Sequence, residues 1–292
     1  MPAPAYQLVQ LANGAFSIHS IAEDETFHPV IGPVAEAQAL YVDQLKLRDR
    51  VRDEPGEFVI WDVGLGAAAN VLTALRATCD LPCSLSILSF DHTIEPLKFA
   101  RQQAAALGYF ENYENAVDQL LAHGHASFQH AQQTVSWQLH LGDFPEFLRS
   151  STAVPPPHAI LFDAFSPAKN PAMWTAPLFA ALYRRLDPNR PCAMPTYSRS
   201  TMLRVTLLLA GFYVGIGHAT GEKEETTLAA NTLSLIEDPL PPSWLQRARR
   251  SRSAEPMWEP TYRQAPLNPG TWEKLQQHPQ FADKRNDPDP LG

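Results

Sequence analysis

The segment Phe58-Val59-Ile60-Trp61-Asp62-Val63-Gly64-Leu65-Gly66 combines a short apolar run with an aspartate and two closely spaced glycines. An apolar run of this length before a glycine turn is typical of a buried strand. A helical pattern follows over residues 68–78. Strand, glycine turn and helix in this order predict the first unit of a parallel α/β sheet.

Strands and helices continue to alternate after this unit. Four later strands are predicted, separated by helical segments, at residues 85–90, 135–141, 158–162 and 191–197. The last two predicted strands, residues 213–218 and 227–236, are joined by a link too short for a crossover helix, so they should pair antiparallel. A mostly parallel seven-stranded sheet with an antiparallel terminal hairpin is the Rossmann-like α/β layout of the class I methyltransferases.

The chain extends beyond this sheet on both sides. Residues 6–12 and 15–21 alternate in polarity around Asn13-Gly14, which predicts a small N-terminal β-hairpin. Ten of the 27 prolines lie after Asp238, which predicts an extended, partly ordered or disordered tail. The sequence therefore predicts an extension over 1–55, a methyltransferase domain over 56–238 and a Pro-rich tail over 239–292.

Composition narrows the classes of protein. The net charge is −8, so binding of nucleic acid would need a local basic patch. The tail supplies a candidate, because four arginines fall between Arg247 and Arg252, although solvated tail charge explains them equally well. Three cysteines without zinc spacing and the absence of a long apolar run or signal peptide favour a cytoplasmic protein without metal or membrane segment.

Acidic residues end four consecutive predicted strands: Asp62, Asp91, Asp143 (after Gly142) and Asp163. Ligands of parallel sheets bind at this edge. Asp91 follows Gly66 by 25 residues, where a carboxylate can bind both ribose hydroxyls of a nucleotide-like cofactor. The glycines also fit a dinucleotide fingerprint, so an NAD(P) oxidoreductase is an alternative. Asp62 disfavours it, because a carboxylate repels a pyrophosphate but suits the sulfonium and ammonium of S-adenosylmethionine.

The most distinctive stretch is Asp163-Ala164-Phe165-Ser166-Pro167-Ala168-Lys169-Asn170-Pro171-Ala172-Met173-Trp174. It resembles the signature of the MnmC-like methyltransferase family. The resemblance extends over residues 25–235 and has further motifs: Gly32-Pro33 with Glu36, Asp62 to Gly66 with Asn70, Ser89 to Asp91, Gly142-Asp143, Thr196 to Ser198 and Ala210 to Phe212.

The resemblance implies a stand-alone S-adenosyl-L-methionine-dependent enzyme that methylates an amine on the wobble uridine of tRNA. Because only about 54 residues follow Asp238, a separate FAD-dependent oxidase is a possible partner. Asp163 would be catalytic. The implied cofactor-binding residues are Asp62, Gly64, Gly66, Asn70, Asp91, Gly142, Asp143 and Phe165. The implied substrate-binding residues are Glu36, Pro167, Lys169, Trp174 and Tyr197.

The chain also departs from the family pattern. Ala68 stands where a third glycine is usual, Asp91 where Glu is common, and Ala164 where Gly is usual, while Lys223-Glu224 lacks a family arginine. These departures keep two further alternatives open. One is a methyltransferase that acts on another amine, and the other is a non-catalytic protein that retains the cofactor site.

Overall fold

A computed structural model describes residues 5–221 and 224–282. Its centre is a sheet of eight strands, and a small three-stranded sheet precedes it. The small sheet contains β1 (Tyr6–Gln10), β2 (Phe16–Ser20) and β3 (Glu25–Thr26). The central sheet contains β4 (Glu57–Val63), β5 (Ser84–Asp91), β6 (His125–His130), β7 (Gln133–Leu141), β8 (Ala159–Phe162), β9 (Ala193–Thr196), β10 (Tyr213–Gly217) and β11 (Thr226–Ala230).

The central sheet has the strand order β10-β11-β9-β8-β4-β5-β7-β6. Strands β7, β5, β4, β8 and β9 are parallel, and β10 and β11 form the antiparallel terminal pair. The predicted architecture is confirmed. Because β4 lies in the middle and is covered on both faces, six of its seven residues are buried.

The sheet has one strand more than the seven predicted. The additional strand β6 pairs antiparallel with β7 at the edge of the sheet, and the turn between them has Ala131 in a left-handed conformation. Sequence reasoning missed β6 because only Ala126 in it is buried, and its histidines and polar residues face solvent. An edge strand of this kind has little apolar alternation.

Helices cover both faces of the sheet. They are α1 (Pro33–Ala37), α2 (Leu47–Asp53), α3 (Ala69–Thr78), α4 (Glu95–Gln102), α5 (Ala104–Leu107), α6 (Glu114–His123), α7 (Phe144–Arg149), α8 (Ala176–Arg184), α9 (Thr201–Ala210), α10 (Trp244–Arg250), α11 (Pro269–Gln276) and α12 (Pro279–Ala282). A π-helix over Gln38–Asp43 and 3-10 turns over Pro171–Trp174 and Leu233–Leu235 complete them. The helical segment between β3 and β4 is divided into α1, the π-helix and α2, with Lys46 left-handed at φ 49° before α2.

The N-terminal hairpin is confirmed, with β1 and β2 antiparallel from Tyr6↔Ser20 to Gln10↔Phe16. The following helices pack on α3 and share the core on one face of the sheet, where Ala37, Leu40 and Tyr41 are fully buried. The N-terminal region therefore contributes directly to the central core.

The tail differs from its prediction. Residues 239–282 form three helices, and apolar side chains from them join the core on the other face of the sheet: Leu240, Trp244, Leu245, Ala248, Ala254, Met257, Leu275 and Phe281. Its prolines mark helix starts, as at Pro269 and Pro279, rather than a solvated chain. The domain division at residues 55 and 238 stays a prediction, and the structure describes packing across both points.

None of the described helices combines the length and hydrophobicity that a membrane span needs. Within residues 5–221 and 224–282, no cluster of three or more His, Cys, Asp or Glu side chains has an arrangement that could hold a metal ion.

Candidate active site

A cavity of about 1130 Å³ lies beyond the carboxyl ends of β4, β5, β7 and β8. The strand ends and the glycine turn after β4 form its floor, and the N-terminal segment around residues 20–30 covers one side. This is the edge where parallel sheets bind ligands, because strand order reverses there and loops leave a crevice.

The glycine turn approaches the neighbouring strand end very closely. Gly64 has φ 94°, and a Cβ there would lie 2.6 Å from the Asp163 carbonyl oxygen. No side chain fits at this position. The backbones of the β4 and β8 ends therefore touch, and the turn presents its backbone to the cavity.

At the end of β5, the Asp91 carboxylate is held by backbone amides. Its Oδ2 accepts from Gly66 N at 2.9 Å and its Oδ1 accepts from Thr93 N at 3.2 Å. His92 Nδ1 also lies 3.2 Å from Asp91 Oδ1, and the hydrogen bond raises the pKa of His92. At the end of β7, Asp143 accepts from Glu146 N at 2.7 Å and caps α7. Both acids are thus fixed by the main chain.

At the end of β8, the Asp163 carboxylate contacts side chains instead. Asn70 Nδ2 donates to its Oδ2 at 2.8 Å, and His28 Nε2 lies 3.4 Å from the same oxygen. The other ring nitrogen of His28 lies 3.6 Å from Glu36 Oε1. The side chains of His28, Glu36 and Asp163 are 9%, 10% and 16% exposed, so this acid–histidine–acid group is largely withdrawn from water.

His28 is the site residue that sequence reasoning missed. It lies in the loop after β3 with a left-handed φ of 48°, directly before Pro29. A single loop histidine has no spacing to a partner, since Glu36 and Asp163 reach it only through the tertiary fold. The histidine–proline pair in a loop is the one local signal, and it does not indicate a partner.

The loop over residues 163–174, called the signature loop below, is held in place by the side chains of Tyr197, Glu25 and its own Trp174. Tyr197 OH donates to Ala164 O at 3.0 Å, and Trp174 Nε1 donates to Phe165 O at 2.7 Å. Glu25 accepts from Ser166 N at 3.4 Å and from Ser166 Oγ at 3.2 Å. The loop is therefore tied both to the core and to the N-terminal sheet.

The structure brings most of the predicted site residues to one place. Eleven of them line the cavity: Glu36, Gly64, Gly66, Asn70, Asp91, Gly142, Asp143, Asp163, Phe165, Lys169 and Tyr197. Asp62, Pro167 and Trp174 are not among its lining residues. Trp174 is 1% exposed and packs in the core, where its indole donates to Phe165 O; its substrate contact stays a prediction. Pro167 begins the turn over residues 167–169, and its substrate contact stays a prediction as well. Glu222 and Lys223 lie outside the described residues.

The side chain of Asp62 lies at the end of β4, before the glycine turn, and is 1% exposed, and its cofactor contact stays a prediction. Ser89 Oγ donates to its Oδ2 at 2.7 Å, and Oδ1 has no hydrogen-bond partner among the described residues. Burial raises the pKa of Asp62 to about 7, and nearby Asp163 and Asp91 add to the shift. A carboxyl group in this position is readily protonated.

Residues 108–232 match the family described as S-adenosyl-L-methionine-dependent methyltransferase. The chain is 32% identical over 196 residues to the tRNA 5-methylaminomethyl-2-thiouridine biosynthesis bifunctional protein MnmC of Pseudomonas fluorescens, covering 63% of this chain and 29% of that protein. The MnmC of Methylibium petroleiphilum is 28% identical over 234 residues, covering 79% of this chain and 35% of that protein. The crystal structure of MNMC2 from Aquifex aeolicus shares the fold with a TM-score of 0.68 at 22% identity, covering 94% of this chain and 85% of that one.

The chain contains an MnmC-like methyltransferase domain. It spans about a third of the length of the curated relatives it matches, at 29% and 35%. The cofactor of this domain is S-adenosyl-L-methionine, and the NAD(P) alternative is therefore set aside.

The cavity of the MnmC-like domain fits this cofactor chemically. Asn70 Oδ1 is buried without a hydrogen-bond partner among the described residues, and it lies on a side chain that lines the cavity. An amide oxygen is a suitable acceptor for an ammonium group. The surrounding carboxylates match the two positive charges of the cofactor, and the backbone of the glycine turn lines the same cavity.

Proposed function

We propose that the protein transfers a methyl group from S-adenosyl-L-methionine to the aminomethyl group of a wobble uridine in tRNA. The relatives are named for the biosynthesis of 5-methylaminomethyl-2-thiouridine in tRNA. A methylaminomethyl group differs from an aminomethyl group by one methyl on nitrogen. Methyl transfer to that amine is therefore the step that fits a methyltransferase domain in such a biosynthesis.

The observation that carries the proposal is the largely buried Asp163 carboxylate between Asn70 and His28. An alkylamine is mostly protonated at neutral pH and has no free electron pair until it loses a proton. A carboxylate at the cavity floor can attract the ammonium form and accept its proton. An acceptor without a basic nitrogen would have little use for this group.

We assign the cofactor to the end of the cavity formed by the glycine turn, Asp91 and Asp143. Asp91 would bind the ribose hydroxyls, Asp143 would face the adenine, and Asn70 would take the ammonium. When bound, the cofactor supplies an electrophilic methyl group on a positively charged sulfur. The side chains of Phe27 and Phe165, whose ring centroids are 5.6 Å apart, line the same cavity and would contact the bound cofactor.

In this assignment Asp163 orients the acceptor amine and takes its proton. His28 contacts both Glu36 and Asp163 and fixes the direction of the Asp163 carboxylate. The amine nitrogen forms its bond to the methyl carbon as the carbon–sulfur bond breaks, so the main requirement is alignment at about 3 Å. Tyr197 lines the same cavity and would pack against the uracil ring.

The test is nucleoside mass spectrometry of tRNA from a strain that lacks the gene. The proposal expects the methylated nucleoside to disappear and the aminomethyl precursor to accumulate. Unchanged tRNA nucleosides together with methyl transfer to small amines in vitro would instead favour the alternative acceptor. Binding of S-adenosyl-L-methionine without transfer to either acceptor would favour a non-catalytic protein.

Two further expectations accompany a tRNA substrate. The protein would act in the cytoplasm, where tRNA is modified, and the aminomethyl precursor would come from another enzyme, for which a separate FAD-dependent oxidase is our candidate. Purification of the protein from cells that overproduce it, followed by identification of bound flavoproteins, tests the second expectation.

A further inference from the structure

The tail presents an arginine-rich surface beside the cavity. Helix α10 buries Trp244, Leu245 and Ala248 in the core and leaves its arginines exposed on the other side. Because the buried positions fix the rotation of the helix, Arg247 and Arg250 face solvent. The basic residues are therefore held by a packed helix and are not charges on a loose chain.

This surface reaches the edge of the sheet where the cavity lies. Arg199 follows the cavity-lining Tyr197 by two residues and is exposed. Both Arg199 and Arg247 lie near enough to the buried Arg204 guanidinium to lower its pKa, after the larger effect of burial. The tail also reaches the signature loop, since Ala176 N donates to Met257 O at 2.8 Å, close to the cavity-lining Met173.

The charges of this surface are available for a ligand. Within the described part of the chain, none of the four exposed arginines of this surface forms an ion pair with a carboxylate. They are Arg199, Arg247, Arg250 and Arg252. Other exposed arginines do form such pairs, for example Arg48 with Asp80 and Arg52 with Asp49. Two aromatic side chains of the same tail, Trp258 and Tyr262, are 48% and 42% exposed.

The opposite side of the cavity has the reverse charge. Glu23, Asp24 and Glu25 lie on the N-terminal side, and Asp91 and Asp143 lie at the cofactor end. A polyanion is repelled from those sides and attracted to the tail. A polyanion is therefore expected to approach the mouth of the cavity from the side of the tail.

We propose that the exposed arginines Arg199, Arg247, Arg250 and Arg252 bind the phosphate backbone of tRNA and direct its uridine into the cavity from the tail side. The proposal rests on the proposed function for the identity of the RNA. Its physical basis is the release of counterions from phosphates by basic side chains, with exposed aromatic side chains nearby for unstacked bases. It makes the tail an RNA-binding element of a protein whose net charge is −8.

The test compares two double variants with the same change of charge. R247E/R250E reverses two arginines of the proposed surface. R149E/R184E reverses two exposed arginines at the C-terminal ends of α7 and α8, near the opposite edge of the sheet. Truncation after Asp238 is unsuitable, because it removes core residues such as Trp244 and Phe281.

Affinity for purified tRNA is measured by fluorescence anisotropy over a range of salt concentrations. R247E/R250E should weaken binding by about 10–100-fold and reduce the slope of log K against log salt by about 1–2, since roughly one counterion is released per phosphate contact. R149E/R184E should change affinity less than threefold. Equal weakening by both pairs, or an unchanged slope in R247E/R250E, would overturn the proposal.

Methyl transfer separates this proposal from the proposed function. With tRNA as acceptor, R247E/R250E should raise KM by a similar factor and leave kcat unchanged, while the free aminomethyl nucleoside should react as with the wild type. If the wild type transfers no methyl group to tRNA, the proposed function fails. The anisotropy result still decides whether the surface binds RNA.

Discussion

The two ends of the cavity are built from the same residue type in different ways. At the β5 and β7 ends, Asp91 and Asp143 accept hydrogen bonds from backbone amides of their own loops. At the β8 end, Asp163 contacts the side chains of Asn70 and His28, which come from distant parts of the chain. Asp91 also meets His92, but that histidine is exposed to water, whereas His28 is largely withdrawn from water between two acids.

This difference assigns separate tasks to the two ends. Acids held by backbone amides keep one geometry and one charge, which suits the recognition of a bound cofactor. An acid held by side chains, one of them a largely buried histidine, can gain and lose a proton during a reaction. Substitutions at the β8 end should therefore change the rate, and those at the β5 end should change cofactor affinity.

The largest effect is expected for Asp163→Asn. The substitution keeps the size of the side chain and one oxygen acceptor but removes the proton acceptor. The rate of methyl transfer in single-turnover experiments should fall by about 10²–10⁴-fold, the usual range for a general base. Affinity for S-adenosyl-L-methionine, measured by titration calorimetry, should change little, because the lost interaction belongs to the transition state.

Asp143→Asn is the matched control at the other end, because it makes the same chemical change at a residue that caps α7. Asparagine caps helices as well as aspartate does, so the rate should stay within a few fold. His28→Gln keeps a hydrogen-bond donor near Asp163 but cannot become charged. Its rate of methyl transfer should therefore lie between the rates of Asp163→Asn and Asp143→Asn. A near-normal rate in Asp163→Asn would remove Asp163 from catalysis, and a loss of cofactor binding in a folded variant would move it to the cofactor end.

Substitution of Asp62 should affect the stability of the fold rather than cofactor binding or catalysis. Its folded pKa of about 7 is above its ordinary value, so the folded state binds the proton more tightly and stability falls as pH rises from about 4 to 7. Asp62→Asn lacks this titration. Its free energy of unfolding relative to the wild type should therefore rise by about 2–3 kcal/mol between pH 5 and pH 8. If urea unfolding shows that the free energy of unfolding changes with pH equally in Asp62→Asn and the wild type, Asp62 is not protonated in the folded state.

Asp91→Ala should weaken binding of S-adenosyl-L-methionine by about 1.5–3 kcal/mol through loss of a charge-assisted contact to the ribose. The substitution also removes the acceptor of Gly66 N, which holds the turn. Asp91→Asn separates the two causes, because its amide oxygen can still accept from Gly66 while the negative charge is gone. Calorimetry that finds wild-type affinity in both variants would rule out the ribose contact.

The sequence predicted the parts of the site that depend on local order along the chain. The acids and glycines at strand ends could be found because parallel strands all end at the same edge, so four strand positions gave Asp62, Asp91, Asp143 and Asp163. The sequence did not show which of these acids are buried and which reach the cavity. Whether an acid is buried like Asp62 or reaches the cavity like Asp163 depends on the neighbouring chain at each strand end.

Contacts between distant segments could not be predicted. His28 meets Asp163 across 135 residues of chain, and only the fold of the N-terminal sheet brings them together. The tail was misjudged for a related reason. Its prolines dominate the composition, whereas Trp244 and Met257 become informative only when a surface of the sheet is known to need covering.

The smallest effect concerns Ala68, which stands where the family usually has glycine. Ala68 directly precedes α3 in a left-handed conformation at φ 61°, is 1% exposed, and is not among the residues that line the cavity. Ala68→Gly should relieve about 1–2 kcal/mol of backbone strain and lose similar amounts through chain entropy and a buried methyl group. Unfolding free energy should thus change by less than about 1 kcal/mol, and calorimetry should find cofactor affinity within threefold of the wild type.

Gly66→Ala is the contrasting variant, because its methyl group would enter the cavity 3.4 Å from the Phe27 ring and should weaken cofactor binding. A large gain of affinity for S-adenosyl-L-methionine in Ala68→Gly would mean that the alanine restricts the glycine turn at the cofactor end. That result would favour a protein with impaired methyl transfer.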